Sequence, residues 1–443
     1  MSSASKTSSP VLLPTSASPA TSAIRRLSLR ENFAWTLPAN LTYAACQWGI
    51  LLVLARIGST GLVGLYVLGL SITAPIFVCA SFQLRAIQAT DTHGDFSFGD
   101  YLGLRLVATA VALVLAGGIA WGIGHRDSAL WAVMLLALAK SFESISDVIY
   151  GLLQQNERMD RVARSKAFHG VALLVGVFGG AMATGEIVGA MGGLVAARLL
   201  VLLACDLPSA SWIAGSEIRQ ALRPRWQSSQ LRGLAALGLP LAVVTLLISL
   251  ETNIPQYFVT HQLGVTELGV FGAIAALITA GGMFTRAMNQ VASPRLASMF
   301  HSDDFAGFRR LLSKILGMYL VLGLLGLAMV PLMGSWLLGT LFGSDFRLHV
   351  DLLLVVMLAA SVAYLSGALT SAMIAIRAIR SQLPLRLMTS ATSLVGCLLL
   401  MPDFGLLGAG LALVLAKIPF VVVSLVIVLR ATRGSGSSLA EGV

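Results

Sequence analysis

Apolar residues occur along this chain in long blocks that hold almost no charge: 33–54, 62–84, 106–124, 129–153, 168–185, 187–205, 233–250, 268–285, 315–344, 352–376, 387–401 and 404–429. Most are long enough to cross a bilayer, which takes about 20 apolar residues as helix. The blocks therefore predict an all-α integral membrane protein of twelve transmembrane helices, with both chain ends on one side. The polar positions between them give the orientation. Connections on the side of the termini carry Arg25, Arg26 and Arg30, then Arg85, then Arg158, Arg161, Arg164 and Lys166, then Arg219, Arg223, Arg225 and Arg232. Arg286, Arg295, Arg309, Arg310 and Lys314 follow, then Arg377, Arg380 and Arg386, and finally Arg430 and Arg433. The opposite connections hold Arg56, Arg126 and Arg347. By the positive-inside rule both termini are expected in the cytoplasm.

Composition sharpens this picture. With 56% hydrophobic and 11% charged residues, the chain has roughly half the charge of a soluble domain. Its net charge of +10 does not point to nucleic acid, because the basic residues flank membrane segments and form no aromatic-interleaved stripe. Anionic membrane lipids are the expected partner. Cys46, Cys79, Cys205 and Cys397 fall inside or at the end of apolar blocks without metal-ligand spacing, so neither a disulfide nor a metal site is expected. Residues 1–22 are rich in Ser, Ala, Pro and Thr and read as a disordered cytoplasmic tail, without the basic start and apolar core of a signal peptide. The external connections, 56–61, 125–128, 184–186, 251–267, 344–351 and 402–404, are too short to build an external catalytic site. The expectation is a carrier without cofactor rather than an enzyme.

The chain also repeats itself. Gly189-Ala190 followed by Ala197-Arg198 recurs as Gly408-Ala409 followed by Ala416-Lys417; Gly64-Leu65-Tyr66 is echoed by Gly269-Val270-Phe271, and Leu174-Val175-Gly176 by Leu394-Val395-Gly396. Six spans per half is an even number, so the copies share an orientation and are related by an axis along the membrane normal. This divides the chain into a lobe at 23–206, a cytoplasmic linker at 207–232 containing Pro208 and Pro224, a second lobe at 233–430 and a tail at 431–443.

Three segments carry a family resemblance: Arg85-Ala86 through Phe96-Ser97-Phe98-Gly99-Asp100-Tyr101; Tyr150-Gly151-Leu152-Leu153-Gln154-Gln155-Asn156-Glu157-Arg158; and Ala292-Ser293-Pro294-Arg295-Leu296-Ala297 leading into Arg309-Arg310-Leu311-Leu312. They resemble the bacterial polysaccharide transporters, the Wzx-type flippases of the multidrug/oligosaccharidyl-lipid/polysaccharide exporter superfamily. The resemblance covers nearly everything after the tail. It implies two six-helix lobes around a central cavity, residence in the bacterial inner membrane, and translocation of an undecaprenyl-diphosphate-linked oligosaccharide from inner to outer leaflet for O-antigen, exopolysaccharide or capsule synthesis. A polysaccharide polymerase and a chain-length regulator are the protein partners it implies.

A diphosphate and a hydrated sugar need a cationic, wet path, and a charge facing lipid at mid-membrane costs at least about 2.5 kcal/mol. Basic residues within the spans are therefore the candidate substrate contacts: Lys140, Arg198 and Lys417, with Arg105 and Arg286 nearer the cytoplasmic rim, where snorkelling is the alternative. Lys140, Glu143 and Asp147 share one helix face, so Lys140 and Glu143 are expected either to form a structural ion pair or to belong to the site. Glu143 and Asp147 are the candidate coupling groups, with Asp147 the exchangeable one. Asn40 and Gln47, seven apart, either bind sugar hydroxyls or hold helices together. Pro38, Pro75 and Pro240 fall within the first, second and seventh spans, which line the cavity in the family. Glu251 and Asn253 read as solvated at the external rim.

Competing classes make different demands. A cation-coupled drug antiporter of the same superfamily needs a carboxylate-led cavity, and the first span has none. A membrane glycosyltransferase or polymerase needs a longer extramembrane segment. A major-facilitator transporter has a Gly-Asp-Arg-type loop after the second span, absent here.

Overall fold

In a computed structural model the chain is described at residues 27–91, 94–214, 223–378 and 381–433; the expected N-terminal tail lies outside them. Helices account for nearly all of the described chain, and no strand occurs among the described residues. The first lobe contains α1 (Leu29–Ile57), α2 (Thr60–Ala80), the short α3 (Leu84–Thr90), α4 (Phe98–Gly122), α5 (Asp127–Gln155), α6 (Met159–Thr184) and α7 (Ile187–Val201). A π-turn at Leu202–Asp206 carries α7 into α8 (Leu207–Ala214). The second lobe contains α9 (Ser228–Gln262), α10 (Val265–His301), α11 (Phe305–Leu341), α12 (Val350–Ala375) and α13 (Gln382–Arg433). Among the described residues, ten stretches are long and apolar enough to cross a membrane. One of them, the 52-residue α13, breaks at Gly405 (φ 53°, ψ −126°) and so makes two passages. The 29-residue α5, which carries Lys140, Glu143 and Asp147, completes the twelve.

Helix ends follow local chemistry. Ser28 and Glu31 cap α1 reciprocally through the Ser28 N–H to the Glu31 carboxylate at 2.8 Å and the Glu31 N–H to the Ser28 hydroxyl at 3.3 Å. Between α9 and α10 the chain turns at Leu263 and Gly264, where φ 93° and ψ 177° define a conformation open essentially to glycine alone. The expected external connection at 251–267 is thereby corrected. Helix α9 runs on to Gln262, and Glu251 lies some 11 residues inside its end, about 16 Å at 1.5 Å per residue.

The repeated motifs coincide with the tightest helix packing. Gly176 of α6 meets the backbone of Gly193 on α7 with no room for a Cβ between them, and its counterpart Gly396 meets Ala412 across the two halves of α13, where an added Cβ would lie 3.1 Å from the Ala412 Cβ. Small residues let membrane helices approach closely, and dispersion then supplies the attraction that hydrophobicity cannot supply within lipid. The third motif pair joins the lobes. Gly64 of α2 abuts the Val265 carbonyl, and Gly269 of α10 abuts the Thr60 carbonyl.

This seam lies on the arginine-poor face, where other contacts reinforce it. The Arg56 guanidinium at the end of α1 donates to the carbonyls of Leu341 at 3.3 Å, Gly339 at 3.4 Å and Thr340, capping the C-terminus of α11 in the other lobe. Trp48 and Phe342 stack edge to face at 6.3 Å. The lobes are thus closed together on the arginine-poor face. A Gly64→Val side chain has no space in the seam and is expected to spread it. The check is labelling of a Thr60→Cys reporter by a water-soluble maleimide: it should rise in the Gly64→Val background, and equal labelling in both would show that the seam does not gate access.

Candidate functional site

Each lobe holds a buried ionic cluster near mid-membrane. In the first lobe Arg198 of α7 is the hub. Its Nη2 lies 3.2 Å from Glu143 Oε2 on α5 and donates to the Tyr43 hydroxyl of α1 at 3.3 Å. Its Nη1 lies 2.8 Å from His169 Nε2 on α6. A guanidinium can only donate, so His169 Nε2 must be the unprotonated acceptor and its proton resides on Nδ1. Gln47, one turn above Tyr43, donates to the same hydroxyl at 2.7 Å. Four helices are tied together in this way. Glu143 is enclosed by protein, yet 38% of its side chain reaches solvent. The carboxylate therefore remains open to a ligand on the side away from Arg198. Lys140 is half-buried on the same helix, within electrostatic reach of Glu143.

A second group lies toward the arginine-rich face. Arg105 Nη2 pairs with Asp147 Oδ2 at 2.7 Å, and Arg85 Nη1 stands 3.7 Å from Asp147 Oδ1. Arg85 also donates to Gln154 at 3.2 Å and covers the Tyr150 ring at 5.5 Å. Arg85, Asp147 and Gln154 border a polar pocket of about 260 Å³. Nearby, Lys166 donates to Asn40 Oδ1 at 3.1 Å. The first lobe thus sets five cations, Arg85, Arg105, Lys140, Lys166 and Arg198, against Glu143, Asp147 and the fully buried Asp206, which accepts a hydrogen bond from the Ser165 hydroxyl.

In the second lobe the hub is an acid. Glu251 of α9 is only 2% exposed, pairs with Arg386 at 3.2 Å, and is hydrogen-bonded to Lys417. Arg386 reaches Thr370 Oγ1 at 3.5 Å and lies over the Phe420 ring at 4.6 Å. The two clusters reflect the repeat. The first helix of each lobe supplies a group, Tyr43 or Glu251, that contacts the basic residue of the last, Arg198 or Lys417.

Several expectations are corrected here. Lys140 does not form an ion pair with Glu143; the Arg198 fork, reaching across from α7, takes that carboxylate while also engaging Tyr43 and His169. Asp147, the expected exchangeable group, is bridged by two arginines. Arg105 does not snorkel, since its side chain is 2% exposed and turned toward Asp147. Glu251 is not a solvated rim residue: an unpaired carboxylate at that depth would cost several kcal/mol, and two cations compensate it. Asn40 binds Lys166 and Gln47 binds Tyr43, so both amides stand in the cationic wall and join helices at once. Arg286 stands apart, exposed and bonded to its own helix at the Gly282 carbonyl, 3.2 Å away.

Tyr43, His169, Arg85, Lys166 and Arg386 were not among the expected site residues. His169 carried a usable signal, as an ionisable residue inside an otherwise charge-free block. Tyr43 sits between Asn40 and Gln47 at helical spacing and so shares their face. Among the described residues there is no group of three or more His, Cys, Asp or Glu that could hold a metal ion.

Comparison with known proteins agrees with this architecture. A family model described as polysaccharide biosynthesis protein matches residues 35–351. The capsular polysaccharide biosynthesis protein CapF of Staphylococcus aureus is 26% identical over 391 residues, covering 87% of this chain and 96% of that protein. Among solved structures, the lipid II flippase MurJ in an inward closed conformation aligns with a TM-score of 0.72 at 12% identity, over 90% of this chain and 89% of its own. A multidrug resistance transporter of the MATE family in its inward-facing conformation aligns with a TM-score of 0.66 at 12% identity, over 89% and 96%. At such identities the structural likeness speaks for the fold alone, which this chain shares with both transporters. The family model runs over most of the twelve-helix chain, and on that ground this chain belongs to the polysaccharide biosynthesis protein family.

Proposed function

We propose that the chain is a flippase that carries an undecaprenyl-diphosphate-linked oligosaccharide from the inner to the outer leaflet of the bacterial cytoplasmic membrane. The observation that carries this reading is the excess of cations over carboxylates in the cavity wall of the first lobe. Buried arginines in a low-dielectric wall offer forked donors matched to phosphate oxygens. The amides of Asn40 and Gln47 and the Tyr43 hydroxyl add donors and acceptors for sugar hydroxyls. The family description and the CapF relative support a role in polysaccharide biosynthesis. A cation-exporting antiporter needs acids that are free to release a cation, and here Glu143, Asp147 and Glu251 are each engaged by arginine or lysine, while Asp206 accepts from Ser165. The reading is of a carrier with no bond-making step.

In this reading both termini and the 207–232 linker are cytoplasmic, and Lys140, Arg198 and Lys417, with Arg105 and Arg286 toward the rim, are the cationic substrate path. An inside-negative potential assists outward movement of about two phosphate charges by roughly 2.3 kcal/mol per charge per 100 mV. Glu143 and Asp147 then serve the return step as exchangeable partners of the arginines the diphosphate engages. The test is transfer in proteoliposomes loaded with undecaprenyl-diphosphate-linked oligosaccharide, read as sugar accessible to an added glycosidase. Accessibility should exceed that of protein-free vesicles. Equal accessibility, together with uptake of a cationic dye against a proton or sodium gradient, would replace the flippase reading with the antiporter.

A further inference from the structure

A groove of about 1220 Å³ runs between the lobes, bounded by α2, α4 and α9. Its α4 wall extends from Leu104 to Ile123, about 28 Å at 1.5 Å per residue, which nearly matches the hydrocarbon thickness of a bilayer. The lining is apolar along this length, and polar side chains gather at the arginine-poor mouth, at His125, Thr260, His261 and Gln262. At the opposite end the groove meets Cys79, Ala80 and Phe82. There the chain turns sharply: Phe82 and Gln83 have φ of 46° and 51°, two consecutive non-glycine residues in the left-handed region, and they separate α2 from α3. The neighbouring Ser81, Gln83, Arg85 and Ala86 line the polar pocket that Asp147 and Gln154 complete. Residues 79–86 therefore form a sill, apolar on one flank and arginine-bearing on the other.

We propose that this sill seats the junction of a lipid-linked diphosphate, with the phosphates against Arg85 in the polar pocket and the isoprenoid chain in the groove between α2, α4 and α9. The proposal rests on the flippase reading and specifies where its substrate lies. Charge selects this occupant. Arg85 is partly exposed and its contact with Asp147 is long, at 3.7 Å, so its guanidinium retains donors for an anion. A neutral lipid has nothing to place there. The groove adds little hydrophobic free energy, because bilayer lipid is as apolar as its walls. It provides instead a continuous apolar track beside the cationic wall, so the headgroup can move while the chain never crosses a polar surface.

Photo-crosslinking tests this, with a benzophenone-tagged undecaprenyl diphosphate in nanodiscs of phosphatidylethanolamine and phosphatidylglycerol and mass spectrometry of labelled peptides. Label should concentrate on α4 around Val107 and Val111 and on α9 around Leu246 and Leu250. Val111→Trp, which fills the groove from a position 53% exposed, should lower it about tenfold, as should Arg85→Gln. Val114→Trp, at a position on the same helix that is 73% exposed and outside the groove, should leave it unchanged. Groove label that survives Val111→Trp, or that excess phosphatidylglycerol removes as well as excess undecaprenyl diphosphate does, overturns the proposal, the groove then holding bulk lipid. Labelling reads binding alone. A protein that takes the probe into the groove without flipping it refutes the flippase reading and keeps this placement, and flipping without groove label refutes the placement alone.

Discussion

Glu251→Ala is expected to cost on the order of 3–5 kcal/mol, the usual penalty for breaking a buried ion pair by removing one partner. The acid is almost wholly buried, and its loss leaves Arg386 and Lys417 facing each other without a counter-charge. Both cations retain some exposure, 12% and 21%, so hydration recovers part of this and the lower end of that range is expected. The readout is the thermal unfolding midpoint of the detergent-solubilised protein, together with its yield from membranes. Glu251→Gln should behave similarly, because an amide keeps the shape and loses the charge. Glu251→Gln combined with Lys417→Met should recover a large part of the loss, since it removes a cation along with the anion. An unaltered midpoint in Glu251→Ala would mean that the cluster does not hold the second lobe together.

The second large effect belongs to Arg198. Its side chain engages Glu143, Tyr43 and His169 at once, and hydrogen bonds to charged groups contribute about 1.5–3 kcal/mol each. Under the flippase reading, Arg198→Ala should reduce surface glycan by about tenfold or more while protein remains in the membrane. Arg198→Lys should be intermediate, since a lysine supplies the charge but lacks the fork that reaches all three partners. Tyr43→Phe, which removes one hydroxyl and no charge, should be milder than either. Combined alanine changes at Lys140, Arg198 and Lys417 should abolish the glycan. Wild-type glycan from that triple variant would dismiss the cationic path, and loss of the protein itself would assign these residues to structure.

The spans and their number are legible in the sequence because hydrocarbon imposes one requirement, a long apolar helix with its backbone bonds satisfied internally. The repeat is legible for a related reason, since Gly176, Gly396, Gly64 and Gly269 stand where helices touch and a Cβ would crowd the facing helix. The ionic clusters were only half legible. Arg198 and Lys417 stood out as charges inside apolar blocks, but their partners lie on helices distant in sequence, and spacing along one helix suggested the wrong partner for Glu143. Glu251 was misplaced because the apolar block ended at 250, where hydropathy fell, whereas the helix ran on to Gln262. Hydropathy reports where charge begins; a buried acid neutralised by two cations from another part of the chain looks the same as a membrane boundary.

The ion pairs Arg85–Asp147, Arg105–Asp147, Arg158–Asp160, Arg198–Glu143, Arg386–Glu251 and Lys417–Glu251 each join two residues of the same lobe, while the lobes meet through glycine backbones, apolar packing such as Trp48 on Phe342, and donors such as Arg56 and Tyr257 to carbonyl oxygens. Movement of one lobe against the other therefore separates no buried charges, a step that would cost several kcal/mol for each pair broken. Under the flippase reading, preference for a cargo and the balance between conformations are consequently inherited through different residues. On that reading a descendant of this chain can exchange cations in one wall to suit a new headgroup without resetting its conformational equilibrium, and diversification of the glycan meets little resistance from the moving parts.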